Sequence, residues 1–134
     1  MNNAFDNKRN KEDLSSDNNE GEYKENFTNF NSKLNLKEKD IIEALKKVFD
    51  PEIPVNIYDL GLIYNIEIIN KFEAKITMTL TTPNCPVAKE MPLMVSNSIK
   101  NLEGFKSANI NIVWDPPWNK DMMSEDAKLA LDIA

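Results

Sequence analysis

Two runs of nine residues, GLIYNIEII and EAKITMTLT, alternate apolar and polar side chains and are separated by a short polar link. No other feature restricts the fold as tightly. In the first run Leu62, Tyr64, Ile66 and Ile68 share one face, opposite Ile63, Asn65 and Glu67. In the second, Ala74, Ile76, Met78 and Leu80 are set against Lys75, Thr77 and Thr79. A period of two places one buried face on each strand. The link around Asn70 and Lys71 is short enough to make the pair an antiparallel hairpin.

Helical patterns flank this hairpin. In NLKEKDIIEALKKVFDP, Ile41, Leu45, Val48 and Phe49 recur at helical spacing, and Asn35 with Glu38 resembles a capping box. Pro51 disfavours helical geometry at the residue before it and predicts a stop near Asp50. PEIPVNIYDLG then reads as an ordered loop. After Cys85, the segment PVAKEMPLMVSNSIKNL sets Val87, Met91, Met94, Val95 and Leu102 near one helical face, with Pro92 expected to kink the helix or delay its start and Gly104 to end it. SANINIVW supplies a third strand, with Ala108, Ile110, Ile112 and Trp114 on its buried face, and DPPWN breaks it. Ser124 followed by Glu125 and Asp126 starts a last helix, since a hydroxyl caps the free amides and acids complement the helix dipole. The order α-β-β-α-β-α predicts an α+β domain, a mixed three-stranded sheet covered by helices, over residues 34–134.

From Met1 to about Lys33 the chain is rich in Asn, Asp, Glu, Lys and Ser, with Phe27 and Phe30 as isolated large apolar residues. So little apolar surface predicts a disordered tail over residues 1–33 that folding does not need, either an inert extension or a partner-docking segment around the two phenylalanines.

A net charge of −6 argues against general affinity for nucleic acid or anionic membrane. No apolar run is long enough to span a bilayer, and the start of the chain lacks the apolar core of a secretory signal. One cysteine cannot form a disulfide within the chain, and together these features predict a reducing, cytoplasmic setting with a free thiol.

With no histidine, Ser-His and Cys-His catalysis are excluded, and there is no Gly-rich phosphate loop or paired-cysteine metal motif. Cys85 stands out in TTPNCPVAKEM. Pro86 at the first helical position would make Cys85 the N-cap, where free amides and the helix dipole favour a thiolate, a nucleophile and a soft ligand for iron or copper(I). The alternative is a small buried hydrophobe. Asp50 and Glu52 in DPEIP are either acids facing a site or a helix stop with solvated carboxylates, and Asp59 in YDLG either joins them or caps the turn that Gly61 permits. In WDPPWN, strand alternation makes Trp114 a core residue and leaves Trp118 as an exposed partner anchor.

DPEIPVNIYDLGLIY, TLTTPNCPVAKEMP and IVWDPPWNKDMMSEDAKLALDI, in this order, resemble the SufT family of iron-sulfur cluster assembly factors, within the MIP-eighteen-like group that also holds the oxygenase accessory protein PaaD. The resemblance runs from about Leu36 to Ile133. It implies a small α+β domain that assists maturation of iron-sulfur proteins and is not an enzyme. It assigns Cys85 to cluster or metal handling, matches Asp50, Glu52, Asp59 and Thr82 to supporting positions, and matches Trp118 to a further signature position read as partner-binding. The sequence shows neither the cysteine-rich extension of PaaD nor the nucleotide-binding domain of ATPase carriers, so the implied role is general rather than oxygenase-specific.

A cluster needs about four ligands and one chain offers one thiolate, so a cluster held stably by a monomer is not expected. Three arrangements stay open: a homodimer in which each copy contributes Cys85, a transient ligand during transfer of a cluster or iron, or recruitment alone of a scaffold or carrier and its client apo-proteins. A thiol enzyme and an interaction module with a structural cysteine are the rival readings.

Overall fold

The computed structural model describes residues 21–82 and 87–131. Its elements are β1 (Glu22–Asn26), α1 (Glu38–Leu45), β2 (Ile63–Ile69), β3 (Glu73–Met78), α2 (Val87–Lys100), β4 (Ser107–Ile112), a 3₁₀ turn (Lys120–Met122) and α3 (Glu125–Ala130). The hairpin forms as expected, β2 antiparallel to β3, with Ile66 opposite Ile76 and Ile68 opposite Ala74. Asn70 and Lys71 both take positive φ, 52° and 71°, and Phe72 N–H donates to Ile69 O at 3.3 Å. Two consecutive left-handed residues give a turn whose twist suits paired strands.

Crossing over through α2, the chain returns as β4 parallel to β3, so that Ile76 lies beside Ile110 and Ala74 beside Ala108. Helix α2 runs through Pro92, and its Met91, Val95 and Ile99 are fully buried against the sheet. A proline here removes one intrahelical donor, so burial of this apolar stripe must hold the helix together. Helix α1 begins at Glu38 rather than at an Asn35 cap, since the Lys37 N–H donates to Asp40 Oδ2 at 2.8 Å and fixes the first turn two residues later. It ends at Leu45, short of the Asp50 stop, and packs Ile41, Ala44 and Leu45 inward. Ser124 caps α3 as expected, its Oγ accepting from Ala127 N–H at 3.1 Å.

The sheet has four strands, not three, in the order β1-β4-β3-β2. The additional strand, Glu22–Asn26, comes from the stretch expected to be a tail, and pairs antiparallel with β4 from Glu22 opposite Asn111 to Asn26 opposite Ser107. Its sequence, EYKEN, carries little apolar surface, so its stability comes from outside itself. The Ser96 hydroxyl on α2 donates to Glu25 Oε1 at 2.6 Å, and the Tyr23 hydroxyl donates to the same oxygen at 3.1 Å. Desolvation, then the hydrogen bond and charge of Glu25, raise the Tyr23 pKa above its usual value and keep the phenol a donor. Phe27 follows, only 8% exposed, and Phe30 packs edge-on against Phe72 at 4.8 Å. The expectation of a disordered tail over residues 1–33 is therefore corrected for residues 22–30. Residues 1–20 lie outside the described part.

Candidate functional site

Sheet topology fixes which loops meet. Since β3 and β4 are parallel and β2 is antiparallel to β3, the start of β2 and the ends of β3 and β4 share one end of the sheet. The loop Asp59 to Gly61, the segment Thr79 to Thr82 and the turn Trp114 to Trp118 thus emerge together. Gly21, which leads into β1, is at this end too, where its carbonyl accepts from Ile112 N–H at 2.6 Å.

Hydrogen bonds tie the first of these loops to the third. The Trp118 indole N–H donates to Leu60 O at 2.6 Å and the Ser124 N–H to Asp59 O at 2.8 Å. The Tyr64 hydroxyl donates to Pro116 O at 2.7 Å and lies 3.6 Å from Met122 Sδ. Gly61 stands at φ +85°, and a Cβ there would collide with the Met122 carbonyl, so both the turn and the close approach require glycine. Desolvation raises the Tyr64 pKa, and the charge of Asp115 raises it further against an opposing contribution from Thr79, so the hydroxyl remains protonated and able to donate. Replacing Tyr64 with Phe should cost about 1 kcal/mol in chemical denaturation, as expected for one lost hydrogen bond. An unchanged midpoint would show that the loop is held without it.

The acids of the sequence reading separate into distinct roles. Asp50 is 6% exposed, and its Oδ1 accepts from Glu52 N–H at 2.7 Å and Ile53 N–H at 3.0 Å. The backbone returns through Asp50 N–H to Val55 O at 3.2 Å and a bridge between Phe49 and Asn56. Asp50 is therefore the organiser of the DPEIP loop, satisfying amides that the two prolines leave without strand partners. Glu52 is on the exposed side of this loop. Asp59 accepts from the Asn56 side-chain amide at 2.7 Å, while its own N–H donates to Asn56 Oδ1 at 2.8 Å. These reciprocal bonds shape the turn into β2. Thr82 is half-buried just past β3.

The tryptophans exchange their expected places. Strand β4 ends at Ile112, two residues before alternation could bury Trp114, which is 44% exposed. Trp118 is half-buried against the core and spends its indole donor on Leu60, so it is not the freely exposed ring. Cys85, with Pro83 and Pro86, lies outside the described residues, as does the predicted N-cap. Among the described residues no group of three or more acidic, histidine or cysteine side chains is arranged to hold a metal ion, and no helix is long and apolar enough to cross a membrane.

Sequence reasoning missed Tyr64, Thr79 and Asn56. Thr79 is fully buried, and among the described residues its hydroxyl lacks a well-formed hydrogen bond, although by alternation from Lys75 and Thr77 it belongs to the polar face. Tyr64 falls where the β2–β3 register shifts between Ile63 and Asn65. An irregular register has no signature in alternation, whereas the N-x-x-D spacing of Asn56 and Asp59 was readable as a turn.

A family model described as "iron-sulfur cluster assembly protein" matches residues 38–112. A Porphyromonas gingivalis protein named Fe-S protein maturation auxiliary factor is 49% identical over 94 residues, 70% of this chain and 90% of that protein. The Staphylococcus aureus Fe-S protein maturation auxiliary factor SufT is 37% identical over 87 residues, 65% of this chain and 99% of that protein. Among solved structures, a domain of unknown function from Bacillus anthracis superposes with a TM-score of 0.68 at 38% identity, covering 72% of this chain and 92% of that one.

Proposed function

The chain belongs to the iron-sulfur cluster assembly protein family and is SufT-like, and from that premise we propose that it matures iron-sulfur proteins by recruiting a scaffold or carrier and a client apo-protein, with Cys85 as a transient ligand for the passing cluster or iron. The accessory role in iron-sulfur assembly is what its relatives are named for. The cluster is cargo here rather than a resident cofactor, because one thiolate cannot complete its shell. The protein works in the reducing cytoplasm, where that thiol stays free.

The observation that carries this reading is the shared end of the sheet. The stretch Thr79 to Thr82, which precedes Cys85 in the sequence, leaves β3 there, at the same end as the turn of Asp59 and the loop of Trp114 and Trp118. Hydrogen-bonded loops gathered at one end of the sheet suit a surface that docks proteins and passes cargo between them. In this reading Asp50 and Asp59 hold loop shape, Glu52 and Thr82 take supporting roles, Trp118 fastens the loop after β4, and Trp114 offers its ring to a partner.

Cells lacking the protein should lose activity in several unrelated iron-sulfur enzymes together, while enzymes without clusters keep theirs. Loss confined to a single enzyme would mark a dedicated accessory instead.

A further inference from the structure

Away from the loops, a groove of about 460 Å³ opens between the end of α1 and the outer side of α2. Its apolar lining comes from Ala44, Val48, Met94 and Leu102. Phe49 stands at its rim, 55% exposed, where a large aromatic side chain is not needed to complete the core. Asn97 and Asn101 present exposed side-chain amides on the opposite wall, and among the described residues neither amide has a hydrogen-bond partner. The one charged lining residue is Lys47, exposed, in a chain whose acids outnumber its bases by 22 to 16. The neighbouring Lys46 is engaged differently, its Nζ 5.5 Å over the Tyr58 ring.

We infer that this groove is a docking site for a short acidic peptide segment of a partner protein, which seats one bulky apolar side chain between α1 and α2 and places a carboxylate beside Lys47. Each part of the lining matches a part of such a segment. The apolar strip takes the anchor, the two amides reach main-chain donors and acceptors, and the lysine selects the sign of the flanking charge. The sign is the discriminating feature: the molecule as a whole repels acidic partners, whereas among the described residues this groove is lined by no acid and by one exposed lysine. A second copy of this chain, itself net negative, is the poorer electrostatic match. The inference rests on the recruitment reading for the class of partner, but the groove lies outside the Cys85 segment and is read without any cluster, so the two can fail separately.

The test is a titration of the full chain, labelled with nitrogen-15, by a short synthetic peptide carrying a Leu-Phe pair between acidic residues. Amide shifts should map to Ala44, Lys47, Phe49, Met94, Asn97 and Asn101. Lys47→Glu should weaken binding about fivefold or more, and a peptide with Ala in place of the Leu-Phe pair should bind about tenfold more weakly. Phe49→Ala, a change at an exposed side chain, should weaken binding without altering the thermal midpoint, and Cys85→Ser should bind like wild type. Absence of shifts, shifts that map elsewhere, or equal binding of a peptide with Lys in place of its acids would overturn the inference. So would movement of the same resonances on dilution alone, which would identify a second copy as the occupant, or on deletion of residues 1–20, which would identify the chain's own N-terminal segment.

Discussion

Removal of residues 1–33 should lower the thermal midpoint by about 12 °C or more, or leave a domain that does not fold cooperatively. The deletion takes away β1 and its ladder with β4, the Glu25 carboxylate that receives two hydroxyl donors, and the buried Phe27 ring. The ring alone is worth about 3–5 kcal/mol on truncation to alanine. For a domain of this size each kcal/mol moves the midpoint by about 4–8 °C. Phe27→Ala by itself should therefore reproduce much of the effect. Without β1, the backbone groups of β4 that face it also become an open sheet edge, so the truncated protein should aggregate more readily. A midpoint within about 2 °C of wild type would show that β1 lies outside the cooperative unit and that folding does not need this segment.

That segment marks where local pattern stops being informative. The β2–β3 hairpin was readable because its stabilisation is local: alternation builds one buried face, and Asn70 with Lys71 closes the turn. The Ser124 cap was readable for the same reason. Strand β1 was not, because EYKEN gains its place from partners about 70 or more residues away, Ser96 on α2 and the ladder of β4. The two tryptophans failed through one boundary. Alternation in the sequence continues through Trp114, but the strand ends at Ile112, and a hydrogen bond across 58 residues draws Trp118 inward instead. At the candidate site the sequence named the loops but not which of their acids shape the turns. By sequence Asp50 and Asp59 fit both site acids and turn formers, and both carboxylates accept hydrogen bonds within their own turns. Acids that shape loops this way hold a surface for docking, and under the proposed function ligation falls to Cys85.

The second large effect concerns that thiolate. Cys85→Ser keeps the size of the side chain and the flanking prolines while removing the soft ligand, so folding and partner capture should persist and delivery should fail. Added to a cluster-loaded scaffold or carrier and an apo-client under anaerobic conditions, wild-type protein should speed maturation of the client. Cys85→Ser should return the rate to near that seen with no protein added, while still copurifying with the client. A Cys85→Ser protein that matures the client as fast as wild type would contradict transient ligation and reduce the protein to a recruiter alone.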